Sequence, residues 1–367
     1  MTVTLQTENF DAFFDAPFAA YGTDSPYVSP LRSDLKRFLD KSANPLFRGN
    51  SDLTYFTAHR DGRVVGRITA HFHAESNAMH DPDLGYFGYF DCADDADAAA
   101  ALLTAAADWL RARDFSKMAG NFNLTAMQQI GVVTEGFDRR PYLDQVWSPP
   151  HIARLLTENG FAPQFPMATF SLDLTRGGPT IGPKQQAILD DPAFAFAPVT
   201  RHTIPARMDD ARLILNASFA DNPMFVPVTA DEFHFQAKDM KWIMDPRLSV
   251  VLHHHGKPAA CVICVPDLNP LLRRIGSRMG ISTPWHYLRH RMTNTGISLI
   301  FLGVIPALQN RGVNPLLMAR IMQAARDAGY KTLANTWIAD ENGASLAQAV
   351  KAGADQQHRL HLFAKAI

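Results

Sequence analysis

Alternation of apolar and polar residues predicts strands and helices in a definite order in the first half of the chain. Two β-rich runs are joined by Asp61-Gly62, a dipeptide typical of a hairpin turn. An alanine-rich helical pattern follows a third strand, and a later helix has Ser148 as its cap and Gly160 at its end. The predicted strands are Leu53–His59, Arg63–Ala74, Gly85–Asp91, Lys117–Phe122 and Met167–Leu174, and the helices are Asp95–Arg113 and Ser148–Asn159.

The second half repeats this order of hairpin, strand, helix, strand, helix, strand. Between the halves lies a segment rich in Gly and Pro with little periodicity, which predicts a linker over 176–205. We therefore expect an α/β protein of two domains, 1–175 and 206–367, with related topology. The predicted elements are helices near Ala211–Phe219 and Ala230–Met244, strands Leu248–His254, Ala259–Pro266 and Gly296–Val304, helix Pro315–Ala328, strand Thr332–Ile338, helix Gly343–Ala352 and strand Arg359–Lys365.

Composition narrows the classes of function. The 367 residues carry a formal net charge of −1 and no strong continuous basic stripe, which argues against a nucleic-acid partner. No apolar run is long enough to span a bilayer, and the acidic N-terminus does not read as a secretory signal. Three cysteines are too few for a disulfide framework, so a cytoplasmic protein is expected.

Neither the cysteines nor the histidines predict a metal site. Cys261 and Cys264 form a C-x-x-C pair, but they lie in a strand-like run, where residues three apart face opposite sides. His71 and His73 share a strand face, and three more histidines precede a hairpin turn, yet no nearby carboxylate or cysteine completes a ligand set. We expect no metal.

Residues 300–318 carry the strongest chemical signal. A buried strand ends at Leu302-Gly303-Val304, and the loop Gln309-Asn310-Arg311-Gly312-Val313-Asn314 opens a helix. Asn314 as N-cap and Pro315 at the first helical position are a favoured pairing. Backbone amides at the positive end of a helix, with Arg311 beside them, would form an anion site suited to a pyrophosphate.

This stretch resembles the acyl-CoA motif of the GNAT acyltransferase superfamily, written Q/R-x-x-G-x-G/A after a strand. The resemblance implies that pantetheine lies along Leu302–Val304, pyrophosphate lies on the loop amides, and Asn342 contacts the pantetheine arm. Asn314 departs from the usual Gly or Ala, and Ala349 stands where the family usually has a tyrosine acid.

The corresponding loop of the first half, residues 91–97, carries four carboxylates that would repel a pyrophosphate, so we expect acyl-CoA in the second half alone. Further segments resemble bacterial double-GNAT proteins of this length, among which ceramide-synthase-like proteins are a specific alternative. The implied fold is two tandem GNAT-like domains, each a mixed, mostly antiparallel sheet flanked by helices.

Amine acylation needs a base, and the strand Gly296–Val304 carries no carboxylate or histidine. Four residues outside this strand are candidates for the base, and each of them also has a purely structural explanation. A cleft between the domains would hold the acceptor. The candidate bases are Glu232, His286, Asp340 and Glu341, and the predicted acceptor-binding residues are Tyr89, Asn123, Trp285 and Trp337.

Residues 267–295 form an insertion that mixes arginines with large apolar residues. Two interpretations of this insertion stay open: a lid packed on the domain, or an interfacial helix on an anionic membrane. Either one borders the acceptor and favours a large or hydrophobic substrate, with peripheral contact at the inner face of the membrane in the second case.

The expected activity is acyl transfer from acyl-CoA to a small-molecule or lipid amine by direct attack, without a covalent intermediate. Three alternatives stay open. They are long-chain acylation of a sphingoid base, a non-catalytic module that binds an acyl-CoA or lipid, and, more weakly, transfer to an aminoacyl-tRNA.

Overall fold

The computed structural model describes residues 2–47, 52–176, 181–220, 225–238 and 240–367. Within them the chain forms a mixed α/β structure built on one large mixed sheet. The strands are β1 Val3–Thr7, β2 Leu53–Arg60, β3 Arg63–His71, β4 Leu84–Cys92, β5 Lys117–Gly120, β6 Val132–Glu135, β7 Ala162–Asp173, β8 Phe194–Ala197, β9 Ser249–His254, β10 Lys257–Pro266, β11 Gly296–Val304, β12 Thr332–Asn335, β13 Ile338–Ala339 and β14 Asp355–Ala366.

Helices cover both faces of this sheet. The longest of them, α4, starts where the Asp95 carboxylate accepts a hydrogen bond from the Ala98 amide at 3.1 Å. The helices are α1 Phe10–Tyr21, α2 Arg32–Phe38, α3 Ala74–Met79, α4 Ala96–Arg111, α5 Pro150–Glu158, α6 Pro183–Asp190, α7 Ile204–Ser218, α8 Ala230–Gln236, α9 Met240–Ile243, α10 Asn269–Arg274, α11 Thr283–Thr293, α12 Val313–Asp327 and α13 Gly343–Lys351.

Several local predictions differ from the structure. The strand predicted over Thr332–Ile338 is divided into β12 and β13, and α7 begins at Ile204, ahead of the predicted Ala211. The segment 176–205, predicted as a linker, contains α6 and the edge strand β8, while its residues 177–180 lie outside the described ranges. The helix predicted over Ala230–Met244 is divided into α8 and α9. Ser148 does not cap α5, because its hydroxyl accepts a hydrogen bond from the Val133 amide and Pro149 is the N-cap.

The division into domains 1–175 and 206–367 stays a prediction, and the terms N-terminal half and C-terminal half below denote those two ranges. Each half contains a parallel pair next to antiparallel strands, β4 with β5 and β11 with β12. The strand order along the sheet is β1-β2-β3-β4-β5-β14-β7-β12-β11-β10-β9-β8, with β6 paired to β14 and β13 paired to β7.

The two long central strands are exchanged between the halves. β14, the last strand of the chain, lies beside β5 of the N-terminal half, while β7 of the N-terminal half lies beside β12 of the C-terminal half. β7 and β14 also pair with each other, from Asp355 opposite Ser171 to Ala364 opposite Ala162. Each half therefore completes its part of the sheet with a strand that the other half supplies.

Apolar residues on alternate sides of the strands build cores on both faces. In the C-terminal half, Leu317 of α12 packs on one face and Ile214 of α7 on the other. Cys264 belongs to the first cluster and Cys261 to the second, which confirms that the C-x-x-C residues face opposite sides. All three cysteines are buried as free thiols, and burial raises the pKa of the Cys264 thiol.

Candidate functional site

The parallel pair of the C-terminal half opens into a fork. The pairing between β11 and β12 ends at Leu299 and Asn335, whereas β11 continues to Val304. The other edge of β11 pairs with β10 as far as Val304 opposite Ala260, so the opening lies on the β12 side. Beyond the fork, residues 299–302 of β11 line a cavity.

The equivalent fork of the N-terminal half is closed by hydrogen bonds from side chains and backbone. The Asn123 carboxamide oxygen accepts a hydrogen bond from the Tyr89 amide at 2.7 Å, and that of Asn121 accepts one from the Phe90 amide at 3.1 Å. The Phe122 amide also donates to the Phe87 carbonyl at 2.8 Å. Because these bonds join the two diverging segments, a pantetheine arm has no free strand edge there.

The loop predicted to hold a pyrophosphate lies beside the open fork. Gln309, Asn310 and Arg311 are exposed, and Gly312 has a φ of 90°, a left-handed conformation that glycine adopts without strain. Helix α12 begins directly after Gly312, so its first amides lie at this loop. This end of α12 has the geometry of an anion site.

Asn314 is not the N-cap of α12, contrary to the sequence-based prediction. Gly312 occupies the cap position, and Asn314 is the second helical residue. The Asn314 carboxamide oxygen instead accepts a hydrogen bond from Gln348 Nε2 at 3.0 Å, which joins α12 to α13. Its side chain is thus held between two helices at the rim of the cavity.

Helix α6 also reaches this loop, which the sequence did not indicate. A Cβ atom placed on Gly312 would lie 3.1 Å from Gln185 Nε2 and 3.7 Å from the Lys184 Cβ atom. Gln185 lines the cavity. The segment predicted as a linker therefore brings a second cation, Lys184, next to the loop that carries Arg311.

The cavity that starts at the fork has a volume of about 1260 Å³ and is lined by residues of both halves. This is larger than the roughly 300–1,000 Å³ of ordinary small-molecule sites. Much of its wall is apolar and comes from α7, α8, α9, α10 and the strands of the C-terminal half. Apolar lining residues include Leu215, Phe219, Phe233, Ala237, Met240, Ile243, Ile263, Leu272, Phe301 and Met318.

The predicted ligand-binding residues divide between this cavity and its surroundings. Leu302, Asn314 and Asn342 line the cavity, whereas Gly303 and Val304 are buried in the strand. Gln309 to Gly312 form the adjoining loop, and Val313 is the first residue of α12. Asn342 also caps α13 by accepting from the Ser345 amide at 3.2 Å. Of the predicted acceptor-binding residues, Tyr89, Asn123 and Trp337 line the cavity. Trp285 lies outside it, on α11.

None of the four candidate bases is among the lining residues of the cavity. Asp340 makes a two-point ion pair with Arg359, whose hydrogen bonds lower the pKa of the Asp340 carboxyl. Glu341 is exposed next to the start of α13, and His286 is half-buried on α11. Their catalytic role stays a prediction.

Glu232 is held in a structural arrangement. It accepts hydrogen bonds from the amide and hydroxyl of Thr229 in a capping box at the start of α8. Burial alone would raise the pKa of Glu232, but the neighbouring His73 and the hydrogen bonds from Thr229 outweigh it and leave the pKa lowered. His73 Nε2 lies 4.0 Å from the Glu232 carboxylate.

Three possible metal ligands, one of them distant in sequence from the other two, lie close together near Glu232. Atoms of His73, Glu75 and Glu232 lie within 4.8 Å of one another, so two carboxylates do approach a histidine for which the sequence showed none. His73 Nδ1, however, accepts a hydrogen bond from the Ser76 amide at 3.3 Å as the cap of α3. That bond favours a proton on Nε2, the atom that would have to face a metal.

Sequence reasoning missed Asp144, a carboxylate that lines the cavity. Burial raises its pKa to about 7. Its loop is bound to the fork, because Gln145 Nε2 donates to the Asn335 carbonyl at 2.7 Å, and the Leu143 amide donates to the Asp267 carboxylate at 2.8 Å. No sequence motif marks it, since 190 residues separate Gln145 from Asn335.

The insertion 267–295 has two distinct parts. Helix α10 lies against the cavity, since its N-cap Leu268 and its residues Asn269 and Leu272 line it. After the helix, the Ser277 hydroxyl donates to the Ser29 carbonyl at 2.7 Å. Helix α11 instead leaves apolar side chains exposed, namely Trp285 at 68%, Leu288 at 51% and Met292 at 79% of their surface. In the described part of the chain, no helix is both long and apolar enough to cross a membrane.

Comparison with known proteins supports the fold first predicted from the motif. No family model matches the chain. It is 25% identical over 363 residues to the bacterial ceramide synthase of Caulobacter vibrioides, and 24% identical over 374 residues to protein YghO of Escherichia coli (strain K12). These alignments cover 97% and 99% of this chain and 94% of each relative.

Solved structures agree along the whole chain. A tandem GNAT protein from the clavulanic acid biosynthesis pathway matches with a TM-score of 0.58 at 13% identity, covering 100% of this chain and 98% of its own. A GCN5-related N-acetyltransferase from Sphaerobacter thermophilus matches with a TM-score of 0.56 at 12% identity, covering 99% and 95%. The predicted resemblance to tandem GNAT proteins is thereby confirmed for the fold.

Proposed function

We propose that this chain transfers an acyl group from acyl-CoA to an amine by direct attack on the thioester. The open fork beside the loop of α12 is the observation that carries the proposal. It offers a free edge of β11 to a pantetheine arm and a helix N-terminus with Arg311 and Lys184 to a pyrophosphate. The fold shared with GNAT acetyltransferases supports this assignment.

We further propose that the acceptor is a long-chain lipid amine, such as a sphingoid base. The volume of about 1260 Å³ and the apolar lining suit two long hydrocarbon chains better than a small polar amine. A relative with the name bacterial ceramide synthase, 25% identical to this chain, supports the same substrate class.

Such substrates are held in membranes, and α11 offers a surface for that contact. Trp285, Leu288 and Met292 project an exposed apolar stripe, and Arg289 and Arg291 of the same helix are exposed as well. Residues 268–295 of the insertion contain five arginines and no Asp or Glu. An anionic lipid surface complements this charge, and α10 places the same insertion against the cavity.

The first test measures acyl-CoA binding by calorimetry and CoA release by free-thiol detection, with palmitoyl-CoA and acetyl-CoA as donors. We expect palmitoyl-CoA to bind and to release CoA when a sphingoid base is added. Arg311→Glu should weaken binding at least tenfold, because it places a negative charge beside the pyrophosphate. Arg63→Glu, the same change at an exposed site on β3, is the matched control.

Different results would separate the alternatives. Binding without CoA release would favour a non-catalytic acyl-CoA-binding module. Release with acetyl-CoA and a short amine at equal efficiency would refute the lipid acceptor and leave a small-molecule N-acetyltransferase. If neither thioester binds, the acyltransferase proposal is refuted.

A second test shortens the apolar end of the cavity. Ala237 lies at the C-cap of α8 and lines the cavity, so Ala237→Phe should lower turnover of palmitoyl-CoA with a sphingoid base while sparing turnover with shorter chains. Ala112→Phe introduces the same ring at the exposed C-cap of α4 and should change neither rate. Equal loss for all chain lengths would contradict the placement of the chains.

A further inference from the structure

We propose that Asp144, contributed by the N-terminal half, is the general base that deprotonates the attacking amine at the C-terminal fork. This assignment rests on the proposed acyltransferase function. Asp144 is a cavity-lining carboxylate on a loop that is tied to the fork by hydrogen bonds.

The position of the loop is the first argument. Asn335, whose carbonyl accepts from Gln145 Nε2, is the last residue of β12 that pairs with β11, so the bond fixes the loop at the point where the fork opens. Asp267, at the end of β10, and Asn269 of α10 hold residues 141–143 through bonds of 2.8 Å each to the Leu143 amide and the Pro141 carbonyl. Gln145 acts as a positioning residue.

The surroundings of Asp144 are the second argument. Tyr89 of β4 lies near enough for the Asp144 charge to raise the tyrosine pKa further, on top of the larger effect of burial. Other charged residues also line the cavity. They are Asp34 of α2, Asp173 of β7, Arg176 shortly after β7, and Lys351 of α13. The Asp267 carboxylate lies at the loop, but it already accepts hydrogen bonds from the backbone amides of Leu143 and Asn269. Asp144 is therefore the carboxylate placed at the fork with a pKa, about 7, matched to base catalysis.

The chemistry balances without a further reactant. The Asp144 carboxylate takes one proton from the substrate ammonium, and the neutral nitrogen attacks the thioester carbonyl carbon. The N–C bond forms and the C–S bond breaks. The second proton leaves the nitrogen as the amide forms and protonates the CoA thiolate, and Asp144 releases its own proton to solvent.

The decisive variant is Asp144→Asn, measured in the full-length protein with palmitoyl-CoA and a sphingoid base. Asn tolerates the positive φ of 67° at this position, so the loop should keep its conformation. We expect kcat to fall by about 10²–10⁴-fold, with unchanged palmitoyl-CoA binding by calorimetry. Asp138→Asn, the same change at an exposed site of the preceding segment, should keep wild-type kcat.

The pH profile provides a readout that a structural role would not change. A base acts when deprotonated, so wild-type kcat should rise with pH through about 7 and level off above 8, and this limb should be absent in Asp144→Asn. Asp144→Glu should restore part of the rate and the limb.

If the folded Asp144→Asn variant keeps the kcat and the pH profile of the wild type, the role of Asp144 is refuted and the acyltransferase proposal stands. A wild-type protein that neither binds palmitoyl-CoA nor releases CoA would overturn both.

Discussion

At the scale of single residues, Asp144 combines a functional position with a cost in stability. Its pKa of about 7 in the folded protein lies above the ordinary value of 3.8. Between these two pH values the folded chain holds a proton that the unfolded chain has released, so stability falls as pH rises through this window. The ionised carboxylate present above pH 7 is the destabilising form.

Replacing Asp144 with Asn should therefore stabilise the protein at pH 8, on the order of 1–3 kcal/mol, and change little at about pH 3, below both pKa values, where the carboxyl is largely protonated in both states. Denaturant unfolding at the two pH values measures this difference. Asp138→Asn serves as the exposed control. Equal stability of variant and wild type at pH 8 would show that Asp144 is not held in a desolvated site.

Residues differ in how far sequence alone could identify them. Gly312 and Arg311 were predicted because a short local motif fixes a loop and a helix start. Asp144 was not, since its environment is formed by segments as distant as Asp267 and Asn335, and such desolvation leaves no local pattern. The N-cap of α12 was predicted at Asn314, two residues too late, because a glycine in a left-handed conformation, Gly312, also starts a helix.

At the scale of elements, α11 lies in the insertion for which the sequence left both a packed lid and an interfacial helix open. The segment after α10 contacts the N-terminal half through Ser277, whereas Trp285, Leu288 and Met292 of α11 are uncovered. Replacing all three with Ser should reduce cosedimentation with phosphatidylglycerol-containing vesicles at least tenfold, because burial of apolar area and the neighbouring arginines act together.

Leu213→Ser is the control for that triple change, because Leu213 of α7 is 50% exposed on another surface. Wild-type binding should weaken with added salt and on vesicles of phosphatidylcholine alone. Undiminished cosedimentation of the triple variant would exclude α11 as the contact surface. The same variant should keep its turnover on substrates presented in micelles.

At the scale of the whole molecule, the exchange of β7 and β14 makes the halves mutually dependent. Most strands and helices were predicted from their own periodicity, and the tandem fold followed from the repeated order. The exchange was not predictable in this way, because β7 and β14 have the same pattern whichever half they complete.

A chain that ends at Ala354 should lose cooperative folding throughout, including in the N-terminal half. It lacks the strand that pairs with β5, β6 and β7, and the loss of a central strand exceeds the roughly 5–15 kcal/mol stability of a typical domain. Thermal unfolding followed by circular dichroism measures this. Removing residues 2–7 instead deletes the edge strand β1 and should leave a cooperative transition.

An N-terminal half that still unfolds cooperatively without residues 355–367 would mean that β14 is dispensable to it. Because β14 pairs with β5, β6 and β7, we expect the N-terminal half to lose its cooperative transition.

The exchange also sets the order of events during synthesis. The N-terminal half emerges from the ribosome first, but β14, the strand that fills the gap between β5 and β7, is translated roughly 180 residues after β7. At roughly 5–20 residues per second, about 10 to 40 seconds separate translation of β7 from that of β14. Throughout this interval the nascent chain exposes unpaired strand edges on β5 and β7, so this protein should depend on chaperones that shield nascent chains until β14 has been translated.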